Sequence, residues 1–189
     1  MTDERPLLDL EALEDWIGDR LPGTGEDLRV RQISGGASNE MFELDRAGHR
    51  WVLRRPPRHR ISKSAHDMGR EFRVLTALGG TPVPHPSPLL LCEDESVIGA
   101  PFFLMSHVDG FAPKDPLPAP FDADPDLRRA LGFALVDGLA EVALVDWRAA
   151  GLEGFGRPEG FLERQVSRWA GQLETYRVRE IPGIDEVAA

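Results

Sequence analysis

Between Ile33 and Glu71 the chain sets a run of small residues, a cation and a carboxylate at intervals that few folds accommodate. The run is Ser34-Gly35-Gly36-Ala37-Ser38-Asn39, the cation stands in Trp51-Val52-Leu53-Arg54-Arg55-Pro56-Pro57, and the carboxylate in Gly69-Arg70-Glu71-Phe72. Leu28, Val30 and Gln32 alternate with Arg29, Arg31 and Ile33 ahead of the run, and Met41, Phe42 and Leu44 resume the apolar pattern beyond it. That pattern predicts two strands joined by a glycine-rich tip. Gly35 and Gly36 carry no Cβ, so their backbone can approach a ligand closely and turn amides toward an anion, and Ser38 can add a hydroxyl donor. The same pair also suits an ordinary tight turn.

Alternation with period two puts Val52 and Arg54 on one face of the next strand and Trp51, Leu53 and Arg55 on the other. Met68, Phe72, Leu75 and Leu78 then recur at helical steps, with Glu71 among them. A carboxylate there can hold the Arg54 guanidinium in a two-pronged pair and aim it at phosphates. Read separately, Arg54 and Glu71 are two solvent charges of common type.

These segments, with Pro101-Phe102-Phe103-Leu104-Met105-Ser106-His107-Val108-Asp109-Gly110 and Val145-Asp146-Trp147 followed by Gly151-Leu152, resemble the aminoglycoside phosphotransferase and choline-kinase-like family. Within it the chain is most similar to the kinase-like domains found beside acyl-CoA dehydrogenases. The resemblance covers most of the chain and implies an α+β fold. A protein-kinase-like amino-terminal lobe, a five-stranded antiparallel sheet plus a helix, is expected over 1–108. A linker and the first helices of an incomplete helical carboxy-terminal lobe are expected over 109–189. It implies ATP as the ligand, with Gly35, Gly36, Ser38 and Asn39 over the phosphates and Arg54 held by Glu71. Val52 and Met105 would lie against the base, and the Ser106 carbonyl and Val108 amide would meet the adenine edge. Kinases usually place Lys where Arg54 stands; Arg keeps the charge and the carboxylate pairing.

The rest of the sequence narrows the partners. A net charge of −10 over 189 residues argues against a nucleic-acid or anionic-membrane partner, which would require a basic surface. The 41% hydrophobic content is sufficient for a sizeable core. Arg46, Arg50, Arg54, Arg55, Arg58, Arg60 and Lys63 nevertheless form an island without Asp or Glu, suited either to a small polyanion or to a solvated loop. One cysteine, Cys92, and the lack of a signal-like or membrane-spanning run fit a soluble, cytoplasmic chain. The five histidines show no metal-ligand spacing.

Further elements follow from pattern. Leu7, Leu10, Leu13, Ile17 and Leu21 predict a helix ended by Pro22-Gly23, with Glu14 and Asp15 facing away from its packed side and given no chemistry. Thr81 to Pro88 predicts an extended connector, then strands over Leu89–Cys92 and Pro101–Met105. A helix over Asp126–Val145 is expected to bury Leu127, Leu131, Leu135, Leu139 and Val142. Another, over Pro158–Tyr176, is expected to bury Phe161, Leu162, Val166, Trp169 and Leu173.

A loop of the form His-x-Asp-x-x-x-x-Asn and a second metal-binding Asp, which the family's chemistry uses, do not occur in these residues. No catalytic or metal-binding residue is therefore assigned, and magnesium is expected only with the missing lobe. The chain reads as the nucleotide-binding portion of a small-molecule phosphotransferase. Its end at Ile184 to Ala189, within an incipient helix, suggests a fragment, inactive as it stands. The other reading is a non-catalytic binding or scaffold module. Acceptors from aminoglycosides and choline-like alcohols to sugars and hydroxyacyl thioesters stay open, as does oligomeric state.

Overall fold

The computed structural model describes residues 8–33, 39–57, 66–176, 179, 182, 183 and 186. The glycine-rich run at 34–38, Arg58, Arg60 and Lys63, and most of the segment from Ile184 lie outside them. The described elements run α1 (Leu10–Ile17), β1 (Arg29–Ile33), β2 (Glu40–Arg46), β3 (His49–Arg55), α2 (Met68–Leu78), β4 (Pro88–Cys92), β5 (Phe102–Ser106), α3 (Pro125–Leu144) and α4 (Phe161–Tyr176). They belong to two compact units, Met1–Gly151 and Leu152–Ala189.

The strands form one five-stranded antiparallel sheet, as expected, and their order in it is β1-β2-β3-β5-β4. β3 pairs with β5 so that Leu53 lies opposite Leu104 and Val52 opposite Met105. Side chains alternate across the sheet, so one face collects Phe42, Leu44, Leu53, Phe102 and Leu104 with Leu13 and Ile17 of α1 in a single buried core. Trp16 closes on Phe102 edge to face at 4.8 Å. The opposite face carries Val52, Arg54, Phe103 and Met105, and α2 meets its β5 side where Phe72 lies 6.0 Å from Phe103. Pro88 stands at the irregular start of β4, on the sheet edge, where its missing N–H interrupts no central ladder.

Helix α1 is shorter than its apolar spacing predicts. Asp9 caps it, accepting from the Ala12 amide, and Gly18 ends it at φ +47°, four residues before Pro22. Leu10 is exposed while Leu8 and Leu21, outside the helix, enter the core. Glu14 is not idle on the far side: its Oε1 accepts from the Leu28 amide and ties α1 to the approach of β1.

Two arginines of the cationic island belong to the fold. Arg46, at the end of β2 and 2% exposed, donates to the carbonyls of Gly18, Leu21 and Pro22 at 3.1, 2.6 and 2.9 Å. Carbonyls beyond a helix end have no intrahelical donor, and the fixed fork of a guanidinium gathers several at once. Arg55, also buried, donates to Glu40 Oε2 at 2.8 Å and to the Ile98 carbonyl at 3.1 Å. Period-two alternation places Arg55 on the core face, but a partner fifteen residues earlier leaves no local signal. Gly23 completes the Arg46 site: at φ +84°, an added Cβ would come within 3.0 Å of Ala47 Cβ and 3.2 Å of Arg46 Cγ. Gly23→Ala should cost about 1–2 kcal/mol in urea unfolding from the positive φ alone; a loss below about 0.5 kcal/mol, the scatter of surface substitutions, would mean that the turn relaxes freely.

Helix α3 begins where Asp124 caps the amides of Asp126 and Leu127 and Pro125 occupies the first turn. Its expected buried stripe is not buried: Leu135 is 72% exposed and Leu139 68%. Phe133, Val136 and Leu144 are exposed as well, so apolar side chains spread around the helix rather than lining one side. Periodicity shows which face can be covered, while burial also needs a neighbouring layer. In the second unit, α4 starts three residues later than predicted, after a turn at Pro158, and Phe161, Leu162, Val166 and Trp169 are exposed, with Leu173 half-buried.

Candidate functional site

The sheet face opposite α1 holds two clefts. The larger, about 680 Å³, is lined by Val52, Met105, Ser106, Val108 and Pro86 among others. The smaller, about 360 Å³, is lined by Arg54, Glu71, Val74, Leu75 and Phe103. Met105 and Pro86 line both. The alternation that sends Leu53 into the core sends Val52 and Arg54 to these clefts two residues apart.

Glu71 reaches the same place from α2. Asp67 caps that helix by accepting from the Arg70 amide, which sets Glu71 in its first turn beneath β3. Arg54 Nε donates to Glu71 Oε2 at 2.6 Å. The pair is not two-pronged. Glu71 divides its oxygens: Oε1 accepts from Asn39 Nδ2 at 3.0 Å, while Arg54 Nη1 approaches Met41 Sδ at 3.6 Å. Both charged side chains remain about one third exposed, at 30% and 32%, so a ligand can reach them. At that exposure the ion pair adds at most about 1 kcal/mol to stability, and its geometry matters more than its strength.

Asn39 is buried and lines neither cleft. Its carboxamide oxygen meets His66 Nδ1 at 2.6 Å. The sequence assigns His66 no role and Met41 only a place in the second strand. The sequence separation of 27 between Asn39 and His66 gives no periodic clue, and only the Asp67 cap next to His66 is visible as a helix start.

At the far end of β5, Ser106 is clamped to the connector, its amide donating to the Ser87 carbonyl at 2.8 Å and its Oγ accepting from the Ser87 amide at 2.9 Å. Beyond it Arg50 donates to Asp109 at 2.6 Å, and this hydrogen bond holds the Asp109 carboxyl below its ordinary range. Val108 lies between, exposed at the mouth of the larger cleft. Of the residues singled out from sequence, the structure brings Val52, Met105, Ser106 and Val108 around one cleft and Arg54 and Glu71 around the other. Gly35, Gly36 and Ser38 lie outside the described residues. Among the described residues no cluster of His, Cys, Asp and Glu could hold a metal ion, and no helix is long and apolar enough to cross a membrane.

A five-stranded antiparallel sheet whose third strand offers a cation to a carboxylate on the next helix is the amino-terminal lobe of a protein-kinase-like fold. The family model described as "Phosphotransferase enzyme family" matches residues 29–189, and the chain belongs to that family. It is 36% identical to a solved protein of Ralstonia eutropha, titled "putative aminoglycoside phosphotransferase", with a TM-score of 0.72 over 96% of this chain and 52% of that one. It is also 39% identical over 185 residues to acyl-CoA dehydrogenase family member 11 of Gallus gallus, covering 95% of this chain and 23% of the relative. A probable acyl-CoA dehydrogenase, IBR3, of Arabidopsis thaliana is 36% identical over 173 residues, 87% of this chain and 21% of that protein. The chain thus spans under a quarter of the length of these relatives and about half of the solved one.

Proposed function

We propose that this chain supplies the ATP site of a kinase that phosphorylates a small hydroxyl-bearing molecule. The supporting observation is the Arg54–Glu71 pair in the smaller of two clefts that share Met105 and Pro86 as lining, with Val52, Ser106 and Val108 around the larger. In this reading the adenine lies between Val52 and Met105, with the backbone of Ser106 and Val108 at its polar edge. The triphosphate extends toward Arg54, under the glycine-rich run of Gly35, Gly36 and Ser38. A guanidinium held at Nε keeps its outer N–H groups in a plane suited to phosphate oxygens. The nucleotide lobe takes in 1–108, and 109–189 leads into the helical lobe. Residues that would bind magnesium and orient the acceptor hydroxyl are not among these 189, which contain no His-x-Asp-x-x-x-x-Asn loop.

Calorimetric titration tests the site. ATP should bind more tightly than adenosine, and Arg54→Ala should weaken ATP about tenfold while leaving adenosine nearly unchanged, the size of one charge-assisted contact. Equal losses for both ligands would remove Arg54 from the phosphates. A chain extended through the catalytic loop that neither hydrolyses ATP nor phosphorylates any hydroxyl would overturn the kinase reading. The absent loop motif favours one alternative, a non-catalytic scaffold. That alternative predicts a partner protein bound without nucleotide.

A further inference from the structure

We propose that Asn39 and His66 are positioning residues that orient Glu71, and through it Arg54, toward the triphosphate; this rests on the ATP reading above. The chemistry fixes each group in turn. A carboxylate oxygen only accepts, so the Asn39 amide that faces Glu71 Oε1 at 3.0 Å must be its NH₂ group. The Asn39 oxygen therefore faces His66 Nδ1 at 2.6 Å, and because it too only accepts, Nδ1 must carry a proton. The order His66 to Asn39 to Glu71, with Arg54 donating from the other side, leaves Glu71 Oε2 one favoured direction. Burial of Asn39 keeps water from replacing its two partners. Arg54 is thereby set by a chain of hydrogen bonds that begins at His66, just ahead of the Asp67 cap of α2.

Two measurements on the intact chain test this. Long-range ¹H–¹⁵N correlation spectra should show His66 protonated at Nδ1; a neutral ring protonated only at Nε2 would overturn the proposal without touching the ATP reading. In titrations, Asn39→Ala should reduce the preference for ATP over adenosine about tenfold and add little to Arg54→Ala in the double variant. His66→Ala should act the same way and His66→Asn should restore the preference, since its amide can donate from the place of Nδ1. An unchanged preference in folded Asn39→Ala and His66→Ala, or full additivity with Arg54→Ala, would overturn it. If Asn39→Ala fails to fold, the His66 pair decides. A wild-type chain without any ATP preference would instead sink the ATP reading, leaving the His66 spectrum to judge the hydrogen-bond chain alone.

Discussion

Arg46→Met should lower unfolding stability by about 3 kcal/mol and the melting midpoint by roughly 10 °C. Methionine fills much of the same volume but donates nothing, so the carbonyls of Gly18, Leu21 and Pro22 would lose the guanidinium that serves all three. A buried acceptor stripped of its donor costs about 1–3 kcal/mol, and partial hydration keeps the sum below three full penalties. Arg46→Lys should recover only part, because an ammonium cannot reproduce the planar fork. Near-wild-type stability for Arg46→Met, measured by urea denaturation, would show that water replaces the guanidinium freely. ATP affinity should be unchanged in the folded fraction, since Arg46 is on the α1 side of the sheet.

Leu53→Ala should cost about 2–5 kcal/mol, the range for truncating a buried leucine where the surroundings cannot collapse. Leu53 is fully buried in the central strand, between Phe42 on β2 and Leu104 on β5. Its neighbour Arg54 should behave in the opposite way: removing that side chain should leave stability within about 1 kcal/mol and weaken ATP. In the proposed reading one strand separates packing from binding by single-residue alternation. Denaturant midpoints and ATP titrations on the two variants should fail in complementary assays. If Leu53→Ala changed nucleotide affinity with stability intact, the assignment of faces would be wrong.

How much of this is visible before folding depends on the range of the interaction. Strand faces, the order of elements and the meeting of Arg54 with Glu71 follow from local periodicity plus one long-range pairing that the family pattern supplies. Asn39 stands inside the recognised run, yet its contacts with Glu71 and His66 are through-space and leave no spacing rule. Arg46 carries no mark of burial in the sequence and Arg55 only its place on the core face, because burial of a charge is decided by partners 15 to 43 positions away. The α3 stripe failed for a different reason: Leu135 and Leu139 mark a surface able to pack, and the described residues of the unit offer no layer against it.

Helix α2 has attachments on two sides. Glu71 ties it to β3 through Arg54, and Arg73, two residues on and about 200° around the axis, donates to the Gly151 carbonyl at 3.0 Å. A rod pinned on opposite flanks resists rolling about its length, since a turn that slackens one tether stretches the other. The angular setting of α2 therefore fixes the lateral position of the Glu71 carboxylate, as a torsion bar sets the arm mounted on it.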